Sequence, residues 1–218
     1  MVKPIGLLGG TFDPIHFGHL RTALECQSAL NLAEVRLIPC FQPVHRTAPV
    51  ASPEERLAMV KCAIQNEPAL TVEACEIRRA SPSWTIDTLE TLRRDLPDTP
   101  LCLIMGIDVL SAFPQWRRFA EIPTLAHLII AHRPNCHLPD NPEINALLSE
   151  RMVKSPAALH EAKAGKILFH PVTPLEISAT DIRRQIAAGL NPRYLLPDSV
   201  CDYIRQQGIY KNFDGNTQ

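Results

Sequence analysis

The chain has 218 residues, of which 45% are apolar and 21% charged, with a formal net charge of −1. That size suits one α/β domain with a full core, and the composition is that of an ordinary soluble globular protein. The near-zero charge leaves no bulk basic field to draw the protein to nucleic acid or to an anionic membrane, so neither partner is expected.

Ile5 to Leu8 is a short apolar run that stops at Gly9-Gly10, and a helix is expected to begin near His16. Leu20 to Leu32 carries apolar residues at helical spacing, with Leu20, Ala23, Leu24 and Leu30 on one face. Glu34 to Pro39 reads as the second strand. Ser52-Pro53-Glu54-Glu55 is a helix start with a cap, a first-turn proline and a capping box, and its helix should run to about Asn66. Leu70 to Ile77 is the expected third strand and Thr85 to Leu96 the helix before Pro97. Leu101 to Met105 is a fourth strand ending at Gly106, with a short helix following through Phe113. Ala126 to His132 and Lys166 to Pro171 are further strands. Ala179 to Ala188 and Pro197 to Gln207 are helices closed by Gly189 and Gly208.

Strands alternating with helices imply a Rossmann-like, doubly wound parallel sheet of the α/β class, with helices on both faces and a small C-terminal helical part. Pro134 to Gly165 is the least regular stretch. Residues 1–211 are read as a single domain and residues 212–218 as a flexible tail. No apolar run reaches the ~20 residues that cross a bilayer, and the N-terminus has no signal-peptide pattern. Seven scattered cysteines without a Cys-x-x-Cys pair favour idle thiols in a reducing cytoplasm over disulfides or a zinc site. A homo-oligomer is left open.

The chemistry concentrates after the first strand. Gly9 and Gly10 would let the backbone turn sharply and admit a phosphate. The helix N-terminus that follows offers N–H groups and positive dipole to an anion. His16 and His19, three apart, would share a helix face and could donate N–H bonds to phosphate oxygens, stabilising charge that builds up on a pentavalent phosphorus, while Gly18 would spare a bound nucleotide from crowding. Zinc binding by the histidine pair, or plain packing, stays open at this point, although no third ligand has clear spacing. The Gly-x-Gly-x-x-Gly and Walker fingerprints are absent.

The segment Gly9-Gly10-Thr11-Phe12-Asp13-Pro14-Ile15-His16-Phe17-Gly18-His19 resembles the His-x-Gly-His nucleotidyltransferase superfamily. In its longer form it is similar to the bacterial nicotinate-mononucleotide adenylyltransferases. Ile177-Ser178-Ala179-Thr180-Asp181-Ile182-Arg183 resembles the second signature of that superfamily, Ile-Ser-x-Thr-x-Ile-Arg. The resemblance implies that Gly9, Gly10, Thr11, Phe12, His16 and His19 on one side, and Ile177, Ser178, Thr180 and Arg183 on the other, hold ATP. Ser178, Thr180 and Arg183 would take the β and γ phosphates, and His16, His19 and Arg183 would be catalytic. Gly106-Ile107-Asp108 matches Gly-x-Asp, which implies that Asp108 lies on the ATP ribose.

Pro43-Val44-His45-Arg46 resembles Pro-Pro-His-Lys/Arg, with Val44 in place of the second proline. Thr11, His45, Arg46, Trp84, Thr85, Trp116 and Arg133 are thereby implied in the mononucleotide site. Trp116 would stack on the pyridine ring, amides near Thr85 would bind its carboxylate, Trp84 would play a mixed role, and Arg133 would meet the phosphate. ATP and nicotinate mononucleotide would be the substrates, with Mg²⁺ carried by ATP and no metal ligands on the protein. A pantetheine-phosphate adenylyltransferase or cytidylyltransferase of the same fold, a non-catalytic nucleotide-binding regulator and a metal-dependent hydrolase are the alternatives.

Overall fold

The computed structural model describes residues 2–44, 47–133, 140–173 and 175–214. In chain order its elements are β1 (Ile5–Gly10), α1 (Phe17–Ala29), β2 (Glu34–Pro39), α2 (Pro53–Ile64), β3 (Leu70–Val72), α3 (Cys75–Arg79), α4 (Thr85–Asp95), β4 (Leu101–Gly106), α5 (Ile107–Leu110), α6 (Ile122–Leu125), β5 (His127–His132), α7 (Pro142–Arg151), β6 (Met152–Val153), β7 (Ile167–Pro171), α8 (Ala179–Ala187) and α9 (Asp198–Gln207). Short 3-10 turns lie at Phe113–Gln115, Phe119–Glu121 and Pro156–His160.

The strands pair in parallel in the order β3-β2-β1-β4-β5-β7-β6. The pleat sends alternate residues to opposite faces, and both faces are covered. Leu8 of β1, Cys102 and Ile104 of β4 and Ile129 of β5 join a core built with α1, α2 and α9. Ile5, Leu7, Leu101, Leu103, Leu128 and Ile130 join the other, with α4, α6 and α7. The chain runs outward from β1 through β2 and β3, then returns to β4 on the other side of β1. That reversal opens a crevice above the carboxyl ends of β1 and β4, where open α/β sheets bind ligands. Among the described residues no helix is long and apolar enough to cross a membrane.

Three local expectations need correction. The third strand stops at Val72, and Cys75–Arg79 is helical. Glu73 accepts from the Cys75 N–H at 2.9 Å, which starts the turn, and Glu76 is buried against Thr88 where an extended chain would have continued. The stretch read as least regular contains α7, capped by Asn141, whose side chain accepts from Glu143 N and Ile144 N. It also contains the edge strand β6, while residues 134–139 lie outside the described residues. Phe213, assigned to the tail, is buried. The described chain therefore stays packed to that point.

The cysteines are reduced and mostly buried among the described residues, and burial pushes the Cys26 and Cys102 thiols up to about 12. Gly6 shows how tightly β1 is packed. A Cβ there would lie 2.8 Å from a Val35 methyl, 3.0 Å from Leu32 and 3.1 Å from Ile104. Gly6→Val should therefore lose about 1–3 kcal/mol of stability in urea unfolding by overpacking. An unchanged midpoint would contradict this packing.

Candidate active site

The first motif occupies the end of β1, the loop after it and the start of α1. Gly9 and Gly10 are strand residues without positive φ; the left-handed residue is Phe12, at φ 51°. The sharp turn expected of the glycines is thus made two residues later, by an aromatic residue that rarely adopts that conformation. Surrounding packing holds it there. The Phe12 ring is buried and meets the His19 imidazole edge-on at 5.1 Å. Gly10 makes room for that ring, since a Cβ would fall 2.8 Å from it, whereas a Cβ on Gly9 would meet nothing within 4 Å. Gly9 is the glycine that leaves open space at the crevice.

His16 is not a helical residue but the N-cap of α1, in extended backbone geometry. Its Nδ1 accepts from Gly18 N at 3.2 Å, and His16 N donates to Nδ1 of His19 at 3.3 Å, an imidazole version of the capping box. The two rings stack with centroids 3.7 Å apart. Because each Nδ1 is an acceptor, the ring proton of each neutral imidazole sits on Nε2. Burial lowers the pKa of His16 from the ordinary 6.5 to about 4, so this ring is a neutral donor near pH 7. Gly18 has a different task from the one expected. A Cβ there would lie 3.0 Å from Cε1 and Nδ1 of His16. Its absence serves the histidine that caps the helix.

The second motif is stitched to the first. Ser178 caps α8 and accepts from Asp181 N, while Thr180 lies in the first turn. Arg183 donates from Nη1 to the main-chain oxygen of Asp13 at 2.6 Å and from Nη2 to Thr180 Oγ1 at 3.1 Å. The Asp13 carboxylate is buried and accepts from Val50 N at 2.8 Å, Ala51 N at 3.1 Å and the Tyr210 hydroxyl at 2.7 Å. Arg56 is fully buried and donates to three carbonyls of three loop segments, Thr11 at 2.7 Å, Phe41 at 3.0 Å and Ala51 at 3.2 Å. Ile177 packs against the α1–α2 core.

Gly106 ends β4 with open space where a side chain would be, and Asp108 is exposed in the first turn of α5. At the neighbouring strand ends, Arg133 is exposed and pairs with Glu176 at 3.2 Å, just before the second motif. Trp84 stands at the N-cap of α4, where no side chain caps the helix, and Thr85 is its first residue. The Arg117 guanidinium lies 5.6 Å over the Trp84 ring, and Trp116 meets Phe113 edge-on at 5.4 Å. His45 and Arg46 lie outside the described residues. Among the described residues, no group of three or more His, Cys, Asp or Glu converges that could hold a metal ion. A cavity of about 280 Å³ between α8 and α9, lined by Ile186, Leu190, Ile204 and Ile209 among others, is bordered by none of the predicted site residues.

A cytidylyltransferase-like family profile matches residues 7–185. A protein of Aeromonas hydrophila named "Probable nicotinate-nucleotide adenylyltransferase" is 51% identical over 97% of this chain and 99% of its own length. One of the same name from Marinobacter nauticus is 48% identical over 94% of this chain and 95% of its own. This chain belongs to the nicotinate-nucleotide adenylyltransferase family, within the cytidylyltransferase-like proteins. The fold is shared with nicotinic acid mononucleotide adenylyltransferase of Plasmodium falciparum complexed with NaAD, at a TM-score of 0.72 and 18% identity, over 96% of this chain and 98% of that one.

Within this adenylyltransferase-family chain, reading the sequence passed over four side chains that shape the site. Arg56 carried a signal: it falls on the buried stripe of α2 with Met59, Val60 and Ile64, where an arginine must have partners. Glu76 is buried near the start of α4, where Thr88 donates to it at 2.7 Å and Ser83 also bonds it. Its burial pushes the carboxyl pKa up. Ser83 in turn accepts from Phe41 N at 2.9 Å, which joins the α4 start to the loop after β2. Tyr210 and Phe213 gave no sequence cue to a site 200 residues away.

Folding lowers the pKa of His16, so the unfolded chain binds more protons than the folded one between pH 6.5 and 4. The stability from a neutral His16 is complete above pH 6.5 and is lost as pH falls through about 4, with His127, also lowered by burial, adding to the same slope. His16→Asn, which keeps a capping side chain, should flatten part of that slope in unfolding measured from pH 7 to 4. An unaltered slope would contradict a buried, neutral His16.

Proposed function

We infer that this chain transfers AMP from ATP to nicotinate mononucleotide, forming nicotinate adenine dinucleotide and pyrophosphate in NAD biosynthesis. The observation that carries this reading is the union of two phosphate motifs at one crevice: the stacked His16 and His19 at the start of α1, and Arg183 of α8 bonded to Asp13 of the same loop. The names of the relatives above point to the same acceptor.

In this reading the mononucleotide's 5′-phosphate attacks the α phosphorus of ATP in line. A bond forms from a phosphate oxygen to that phosphorus, the bond to the bridging oxygen breaks, and pyrophosphate leaves with its electron pair. The attacking phosphate is already ionised near neutral pH, so no strong general base is needed. His16 and His19 donate N–H bonds from Nε2 to the oxygens that gain charge in the transition state. Gly9 leaves room for the triphosphate, and Ser178, Thr180 and Arg183 hold its outer phosphates. Asp108 accepts from the ATP ribose.

On the acceptor side, the N–H groups of the first turn of α4, from Thr85 on, bind the nicotinate carboxylate, with Trp84 beside them. Trp116 supplies a ring face to the pyridine, and Arg133, His45 and Arg46 its phosphate contacts. The described crevice residues offer a guanidinium, from Arg183, and the N–H donors at the starts of α1 and α8. That donor set fits Mg²⁺ carried by the ATP phosphates, where it would offset their charge. A cytoplasmic setting belongs to the same proposal.

The reading is tested by pyrophosphate release with ATP and nicotinate mononucleotide, run beside nicotinamide mononucleotide. The nicotinate form should be favoured in kcat/KM by roughly tenfold or more, because the α4 start has a carboxylate to bind. Comparable values, or release with CTP and not ATP, would contradict it. His19→Ala should lower kcat on the order of 10²-fold with a modest change in KM. A near-normal kcat would remove His19 from the chemistry.

A further inference from the structure

The Arg183 guanidinium is held by contacts that come from far along the chain. Its Nη1 bonds the Asp13 carbonyl and lies 3.7 Å from Asp13 Oδ2, and its Nη2 bonds Thr180. Its Nε is buried and has no hydrogen-bond partner among the described residues. Orientation about the long side chain is therefore left to those contacts and to the ring of Phe213, whose centroid lies 4.8 Å from Cζ. Tyr210 sets the other side of the arrangement. Its hydroxyl donates to Asp13 Oδ1 at 2.7 Å, across 197 residues of sequence, and so fixes the residue whose carbonyl Arg183 grips. The link from Phe213 N to Tyr210 O at 3.2 Å makes the two aromatics one turn of chain.

We propose that Tyr210 and Phe213, at the C-terminal end of the described chain, are positioning residues that aim Arg183 at the ATP triphosphate without touching substrate. An arginine has many rotamers, and an aromatic face together with a fixed carbonyl selects among them before the anion arrives. The inference rests on the reading of Arg183 as a triphosphate ligand.

The test is steady-state kinetics of the full chain with both substrates varied. Phe213→Leu keeps apolar volume and removes the ring face. It should raise KM for ATP by roughly tenfold, leave KM for nicotinate mononucleotide and the melting temperature near wild type, and recover in Phe213→Tyr. Tyr210→Phe, which removes one oxygen, should move KM for ATP in the same direction. In an Arg183→Lys background, Phe213→Leu should add less than about twofold, because both changes act through one group. If Arg183→Lys raises KM for ATP and Phe213→Leu does not, the positioning role is overturned while the triphosphate reading stands. If Arg183→Lys leaves ATP kinetics unchanged, the triphosphate reading falls and takes this inference with it. Equal rises in KM for both substrates, or additive effects in the double variant, would mean that the aromatics only support the fold.

Discussion

The loops that form the crevice leave the sheet, and their peptide groups have no strand ladder to satisfy them. A buried arginine does part of that work. Arg56 lies inside the protein and spends its guanidinium on the carbonyls of Thr11, Phe41 and Ala51, three segments that would otherwise need separate anchors. Asp13 is its counterpart for donors, taking the N–H groups of Val50 and Ala51 and the hydroxyl of Tyr210. Burying charge is costly unless its hydrogen bonds are met, and here those bonds also join the loops. The Thr11–His16 loop and Arg183 of the second motif are placed relative to these two residues.

The Thr11–His16 loop inherits its shape from that anchoring. With Thr11 and Asp13 tied on either side, Phe12 is held in the left-handed region and its ring is driven under His19. His19 receives the His16 N–H, His16 receives the Gly18 N–H, and the rings stack. The result is a pair of imidazoles with their Nδ1 atoms turned to the backbone and Nε2 as the remaining ring nitrogen. Burial keeps His16 neutral, which suits it to donate a hydrogen bond to a developing charge and not to act as a fixed cation. The Gly9–His19 motif is therefore also a helix cap, and Gly10 and Gly18 serve the packing of Phe12 and His16.

Much of the architecture was legible in the sequence. Alternation of short apolar runs with capped helices marks a doubly wound sheet, and the Ser52–Glu55 capping box forms as read. Where the reading failed, the causes are specific. Val72 to Ile77 is apolar enough for a strand, but Glu73 and Glu76 find local partners that bend the chain into α3. Asn141-Pro142-Glu143 carries the same kind of start signal as Ser52 and was passed over among its irregular neighbours. The histidines were visible as a spacing, whereas their roles as cap and capping partner depend on the extended backbone of His16, which no spacing reveals. The knot of Asp13, Arg183, Tyr210 and Phe213 joins residues up to 200 positions apart, so only the folded chain brings it into view.

In the proposed reaction His16 and His19 act as hydrogen-bond donors to a single displacement at the α phosphorus, and neither imidazole carries the adenylyl group. The most direct measurement is the stereochemical course of transfer to nicotinate mononucleotide from ATP made chiral by sulfur at the α phosphorus. One in-line displacement predicts inversion of configuration at that phosphorus in the dinucleotide product. Retention would reveal two displacements through an adenylylated side chain and would rule out the direct transfer.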